Sequence, residues 1–369
     1  MKNTCNQTID NNTIIVSGTL DGSSAETMVA TMLKNNIDTL DFNKVESIQF
    51  AALRILLRHR QSGNKFMIIN VSNDVAERFE DTGVSTFINI CRKPKPLHIE
   101  QYSEFGGGFL STAFNSEDGD SMIKVYGSRV PKQTVRREKM VARSVMIFGL
   151  PTPLVGSIYE EGENTGIDFE RIEGKRSFSR IIADEPERLE EISRRFARMC
   201  KQLHTTPCDT TIFDNRTNVY RNAILQSKGL NETTRQKALD FISHIPSATT
   251  CLHGDMQLSN VITNGIEDLW IDLSDFGYGN PMHDMGMWYF LSKFLKKDRE
   301  HNIFHLSVEQ LSQCWDIFID EYFDSPTPQA KADIENTVEQ YAALHMLYLG
   351  ITYGYEPGME EFVNTKLLG

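Results

Sequence analysis

Long apolar runs are missing from this 369-residue chain, and none approaches the length needed to span a bilayer. The N-terminus lacks the apolar stretch of a signal peptide, so the expectation is a soluble cytoplasmic protein with no membrane partner. Basic residues are in the minority, with 38 Lys and Arg against 50 Asp and Glu and a formal charge of -12. That balance argues against broad nucleic-acid binding. Cysteine is sparse as well: Cys5, Cys91, Cys200, Cys208, Cys251 and Cys314 are scattered, without any C-x2-C pair. Such spacing fits reduced thiols in a cytoplasm better than a disulfide framework or a zinc site. What is left is an ordinary globular composition, 40% hydrophobic and 24% charged, long enough for two or three domains.

What the chain does have is a dense polar stretch, His253-Gly254-Asp255-Met256-Gln257-Leu258-Ser259-Asn260, followed twelve residues on by Asp272. An acid, an amide five positions later and a second acid at the end of an apolar strand are the parts of a phosphoryl-transfer site. Asp255 can accept a proton from a substrate hydroxyl, while Asn260 and Asp272 can hold magnesium on a nucleotide's phosphates. The short apolar run Leu269-Trp270-Ile271 reads as a buried strand that delivers Asp272 to its end. Gly279, Pro281 and Asp284 complete the order I-D-x6-G-x-P-x2-D. Asp275-Phe276-Gly277 offers Asp275 as a rival metal ligand, but the spacing to Gly279 and Asp284 and the strand before Asp272 favour Asp272.

These residues resemble the aminoglycoside phosphotransferase and choline kinase group of small-molecule kinases, which carries H-G-D-x4-N where protein kinases carry H-R-D. The resemblance covers roughly the last two thirds of the chain. It implies an α+β bilobal protein-kinase-like domain, ATP as phosphoryl donor with GTP as the alternative, and a small-molecule hydroxyl as acceptor. One departure stands out. Gly279-Asn280-Pro281 occupies the place where the group reads G-D-P, which bears on the local turn rather than on the metal set.

Residues 101 to about 170 supply an upper lobe for such a kinase. Gly106, Gly107 and Gly108 open a strand pair and let the backbone approach phosphates without a Cβ clash. Ser121 to Tyr126 alternates as a strand with Lys124 in its middle. The resemblance implies that Lys124 pairs the α- and β-phosphates and a helix glutamate, best matched by Glu138 on the helix near 134–148. Around Gly166 to Gly174 the chain looks like a hinge, with Phe169 behind an adenine pocket and main-chain contacts near Glu170 and Ile172. His204 and His253 read as packed histidines that orient their neighbours.

The first hundred residues alternate strands and helices. Thr13–Val16, Asp38–Phe42 and Lys65–Ile69 are strands; Ala25–Leu33, Ala51–Arg60 and a segment begun by Asp74 are helices, the last with Glu77 in a capping box and Gly83 at its close. Gly18-Thr19-Leu20-Asp21, the strand before Asn43, and Val71-Ser72-Asn73-Asp74-Val75 before Thr82-Gly83 resemble a STAS domain of the anti-sigma factor antagonist type. Regulatory members carry D-S-S-G at the start of the second helix. Here Gln49-Phe50-Ala51-Ala52 provides no hydroxyl, and Ser47 is expected in the preceding loop. The resemblance implies docking to a protein partner or to the neighbouring kinase, without a phosphorylation switch.

The expected organisation is therefore an α/β STAS-like domain over residues 1–98, a kinase-like N-lobe with hinge over 99–174, and a helical C-lobe over 175–369. The expected activity is ATP-dependent, magnesium-assisted phosphoryl transfer to a hydroxyl of aminoglycoside, choline, amino alcohol or sugar type. The rival from another class is a nucleotide-binding regulatory scaffold that signals through the STAS-like domain.

Overall fold

The computed structural model describes residues 5–107, 111–116, 119–294, 304–354 and 359–367. They divide into two units, 1–144 with 154–171 and 145–153 with 172–369.

The first unit opens with β1 (Asn6–Asp10) and β2 (Thr13–Leu20), an antiparallel hairpin. Asn11 and Asn12 turn it with φ of 43° and 64°, the positive values that tight hairpins favour. Then follow α1 (Gly22–Asn35), β3 (Thr39–Ile48), α2 (Phe50–Gln61), β4 (Met67–Val71), α3 (Asn73–Asp81) and β5 (Asn89–Arg92). The sheet order is β1-β2-β3-β4-β5, with β2 to β5 parallel, as alternating strands and helices require. Ile14, Val16, Leu40, Phe42, Ile68 and Ile90 form a core with Met28, Leu53, Leu56 and Phe79 of the helices. Asp21 caps α1 by accepting from Ser24 N at 2.9 Å.

Four expectations need correction here. Asp74 lies within α3, and the cap is Ser72, whose side chain accepts from Val75 N. Ser47 is on β3, not in a loop, with its Oγ 3.1 Å from Thr19 Oγ1. The third strand starts at Met67, two residues late and running to Val71. Strands β1 and β5 were not foreseen: the first is short, polar and mostly exposed, and the second is only four residues long.

The remainder of this unit is a second sheet. Its strands are β6 (Lys95–Pro96), β7 (Tyr102–Gly107), β8 (Ser111–Ser116), β9 (Ser121–Tyr126), β10 (Val155–Glu161) and β11 (Asn164–Glu170). The order is β6-β10-β11-β9-β8-β7, so β9 is interior. The helix α4 (Lys132–Ile147) intervenes between β9 and β10.

The second unit is mainly helical: α5 (Phe178–Asp184), α6 (Leu189–Thr205), α7 (Arg216–Gln226), α8 (Glu232–His244), α9 (Met282–Tyr289), α10 (Val308–Tyr322), α11 (Pro328–Tyr353) and α12 (Met359–Leu367). Ile192, Phe196, Met199 and Leu203 recur at helical spacing and form the buried stripe of α6. Phe196 meets Trp270, Trp288 and Phe318, so one aromatic cluster joins helices to the strands that carry the polar loop. Those strands are short: β12 (Arg176–Ser177), β13 (Thr250–Leu252), β14 (Val261–Thr263), β15 (Asp268–Trp270) and β16 (Gly277–Gly279). Among the described residues, no helix is long and apolar enough to cross a membrane.

Candidate active site

In the second unit, β13 pairs with β16 and then releases His253, Gly254 and Asp255. Gly254 has φ of +85°, and a Cβ there would lie 2.2 Å from the Asp275 carbonyl oxygen, so only glycine fits. The turn is tied down by Asp284 of α9. Its Oδ2 accepts from His253 N at 2.7 Å and its Oδ1 from Gly254 N at 2.9 Å. His204 Nε2 is 3.1 Å from the same Oδ2, and Tyr322 OH is 2.9 Å from His204 Nδ1. Burial alone would raise the Asp284 pKa; the His204 hydrogen bond, its charge and the Gly254 amide more than offset that and hold it below the usual carboxylate value.

His253 Nε2 donates to the Ile271 carbonyl at 3.0 Å, and its Nδ1 accepts from Asp255 N at 3.3 Å. One nitrogen donates and the other accepts, so both are used and the ring braces the turn. Its ring lies 5.0 Å from that of Trp270.

Asp255 Oδ2 accepts from Gln257 Nε2 and Asn260 Nδ2, each at 2.9 Å. Asn260 Nδ2 also donates to the Asp255 carbonyl at 2.8 Å. With its NH2 spent on Asp255, Asn260 presents Oδ1 as its acceptor. Burial pushes the Asp255 pKa up against the pull of His253 and of the two amides, and the Asp272 charge adds a little to the rise. Asp272 follows β15 in the left-handed region, with φ of 60° and ψ of 57°. An L-residue held there carries strain that the packed strand and the Ile271 N to Asn260 O bond, 3.0 Å, sustain. The rival carboxylate, Asp275, is engaged with Arg216 Nη1 at 3.1 Å.

In the first unit, Lys124 lies on β9 and Glu138 on α4. Lys124 Nζ donates to Glu138 Oε1 at 3.0 Å. The second carboxylate oxygen accepts from Tyr126 OH at 2.5 Å, and burial raises the Tyr126 pKa. Glu138 is thus buried but used on both oxygens. Gly106 and Gly107 lie on β7, opposite Ala113 and Thr112 of β8, with a bulge just before Gly106; Gly108 lies outside the described residues. Phe169 packs against the cluster of Tyr126, Val135 and Ile167. Glu170 ends β11, and its N–H donates to the Leu154 carbonyl at 2.8 Å, so that N–H is not open to a ligand. Ile172 belongs to the second unit, buried with Ile262 and Leu269.

Sequence reasoning passed over Gln257 and Tyr126, and gave Asp284 no role beyond its place in the motif. Tyr126 was within reach, because residues two apart on a strand share a face and Lys124 was already singled out. The bracing of the loop by Asp284 from thirty residues away had no local signal.

The phosphotransferase enzyme family matches residues 101–300. Among solved structures, the apo form of a thermostable mutant of aminoglycoside phosphotransferase APH(4)-Ia is similar, with a TM-score of 0.50 and 15% identity over 73% of this chain and 94% of that one. The ADP-bound aminoglycoside phosphotransferase APH(2'')-Ib gives a TM-score of 0.49 and 17% identity, covering 79% of this chain and 98% of that one. A choline/ethanolamine kinase family protein from Mesorhizobium loti gives 0.46 and 14%, covering 72% and 85%. No curated protein matches the chain. The likeness to the first of these structures shows a mixed α/β, kinase-like fold.

Proposed function

The chain belongs to the phosphotransferase enzyme family, and on that premise we propose that it transfers the γ-phosphoryl group of ATP, with GTP as the alternative, to a hydroxyl of a small molecule. The acceptor class is aminoglycoside, choline, amino alcohol or sugar. The observation that carries this reading is Asp255: two side-chain amides hold its Oδ2, which leaves Oδ1 to meet a substrate hydroxyl. A raised pKa suits a general base, because it brings proton affinity closer to that of neutral pH while the group still ionises. Phosphoryl transfer needs little more from a protein than position and charge.

Lys124, held by Glu138, would orient the α- and β-phosphates. The glycine hairpin at Gly106 and Gly107 would admit the phosphates close to main chain. The Glu170 carbonyl and the Ile172 main chain would meet the adenine edge, with Phe169 behind it. Asn260 Oδ1 and the Asp272 carboxylate are hard oxygen donors of the kind magnesium takes, and few protein ligands suffice because that ion keeps waters and phosphate oxygens. Bound there, magnesium would neutralise phosphate charge.

We read residues 1–98 as a STAS-like domain beside a kinase N-lobe over 99–174 and a C-lobe over 175–369. The parallel β2 to β5 with α1 to α3 supports the first of these. The test is magnesium-dependent ATP consumption against a panel of aminoglycosides, choline, amino alcohols and sugars, with Asp255→Asn as control. A hit lost in the control supports the reading. Equal turnover in Asp255→Asn overturns the assigned base, and nucleotide binding without turnover on any acceptor favours a nucleotide-sensing scaffold.

A further inference from the structure

Thr39, Ile69 and Cys91 are buried, at 2%, 8% and 3% exposure, yet none belongs to the core that α1, α2 and α3 make with their sheet. Thr39 and Asp41 alternate with the core residues Leu40 and Phe42 and so face the other side of the sheet. What reaches that side is α4. Gln133 Nε2 donates to Thr39 Oγ1 at 3.0 Å, and Arg136 Nη2 to Asn70 Oδ1 at 3.3 Å. Lys139 lies near both Cys91 of β5 and Asp168 of β11, and burial pushes its pKa down.

On α4, Arg136 and Lys139 share one face, while Val135, Glu138 and Ala142 share the next. The second face carries the partner of Lys124. Arg136 is fastened from two sides, since its Nη2 also meets Glu160 Oε1 of β10 at 3.0 Å. Asn70 is itself fixed: its φ is 59°, and its Nδ2 donates to Asp41 Oδ2 at 2.9 Å. A chain of contacts therefore runs from Asp41 through Asn70 and Arg136 into α4, and from Glu138 to Lys124.

We propose that the N-terminal α/β segment is a positioning element for the nucleotide site, acting through Asn70 and Thr39 on α4 to keep Glu138 in reach of Lys124. This rests on the phosphotransferase reading and deepens it. The segment that contains no catalytic group thereby sets how well the Lys124–Glu138 pair is formed, and a partner that displaced it from α4 would weaken nucleotide binding. Asn70 and Thr39 are positioning residues, whose effect passes through another side chain.

The discriminating experiment is a double-mutant cycle on the full chain, read as the affinity for magnesium and AMP-PNP by titration calorimetry. Asn70→Gly removes the side chain but tolerates the positive φ. Thr39→Val, a near-isosteric change, removes the Gln133 acceptor and serves as an independent second variant. Each should weaken AMP-PNP binding about fivefold in the otherwise native protein. In a Glu138→Gln background each should change it by no more than about twofold, because the route is already cut. A fivefold loss in both backgrounds overturns the proposal, since the effect then bypasses Glu138. Unchanged affinity in both single variants overturns it too. Absence of AMP-PNP binding in the native protein is a distinct result and removes the phosphotransferase reading along with it.

Discussion

His253 and Gly254, just before Asp255, hang from one buried carboxylate, whereas Glu138 rides on a helix fastened by long polar side chains. The first arrangement is dense and local. Asp284 takes two backbone amides and a histidine, and the bonds are short and buried. The second is spread over three segments of one unit, with Arg136, Asn70 and Glu160 as its links. Buried hydrogen bonds to a charged acceptor hold geometry far more firmly than flexible partly exposed pairs do. The contrast teaches that the proposed base is preset by a dense local turn, while the lysine–glutamate pair is adjustable through contacts spread over its own unit.

The contrast breaks most visibly at Asp284. Asp284→Ala would strand two backbone amides and His204 in an apolar interior, at a cost of about 3–5 kcal/mol. The expected result is a large fall in the midpoint of chemical denaturation and loss of turnover together. Its pH behaviour follows from the sign of the shift. A carboxyl lowered on folding contributes stability above its unfolded pKa and loses it as pH falls through the folded value. The gap between native protein and Asp284→Ala should therefore narrow only on strong acidification. A gap that narrowed already between about pH 7 and 5, above the usual carboxylate range, would remove Asp284 from this role.

Asp255→Asn should separate function from fold. We expect about a 10³-fold loss in kcat, equivalent to about 4 kcal/mol in the barrier. Stability should hold or rise, since a carboxyl raised on folding favours the native state only at low pH and burdens it once ionised. Thermal unfolding measured beside turnover checks both halves. A variant that loses its fold and its rate in parallel would make Asp255 structural.

Smaller again is Glu138→Gln. The amide keeps one acceptor oxygen in place of the two that Lys124 and Tyr126 use, and it loses the charge. About a tenfold rise in KM for ATP, with kcat less affected, is the expected outcome. An effect as large as that of Asp255→Asn would erase the distinction between a preset and an adjustable half.

Legibility followed locality. Asp255, Asn260 and Asp272 lie within one short stretch, and β9 matches the expected strand because its alternation is self-contained. Helix α6 likewise announced itself by the spacing of Ile192, Phe196 and Leu203. What escaped were pairings with distant partners. Strand β1 reads as polar loop until it is hydrogen-bonded to β2. The cap of α3 went to Asp74 because two capping residues lie close together, and only backbone geometry chose Ser72. The sheet face formed by Thr39 and Cys91 was invisible for a different reason: its cover, α4, arrives some forty residues after β5.

The smallest effect belongs to Asn280, where the chain departs from the G-D-P of the group it resembles. Asn280 Oδ1 accepts from Met282 N at 3.0 Å and so steadies the start of α9, the helix that carries Asp284. An aspartate could accept the same bond, and its charge would sit well at a helix N-terminus, at about 0.3–1 kcal/mol. Against that, Asn280→Asp would give up the 3.5 Å contact from Nδ2 to the Pro246 carbonyl, which is exposed and long. The two changes nearly cancel, so stability should move by no more than about 0.5 kcal/mol and turnover should not move at all. Denaturation midpoints and kcat measured side by side check this. A marked gain in turnover would mean that the turn, and not only Asp284, sets the catalytic loop, and the loop would then belong with the adjustable half of the site.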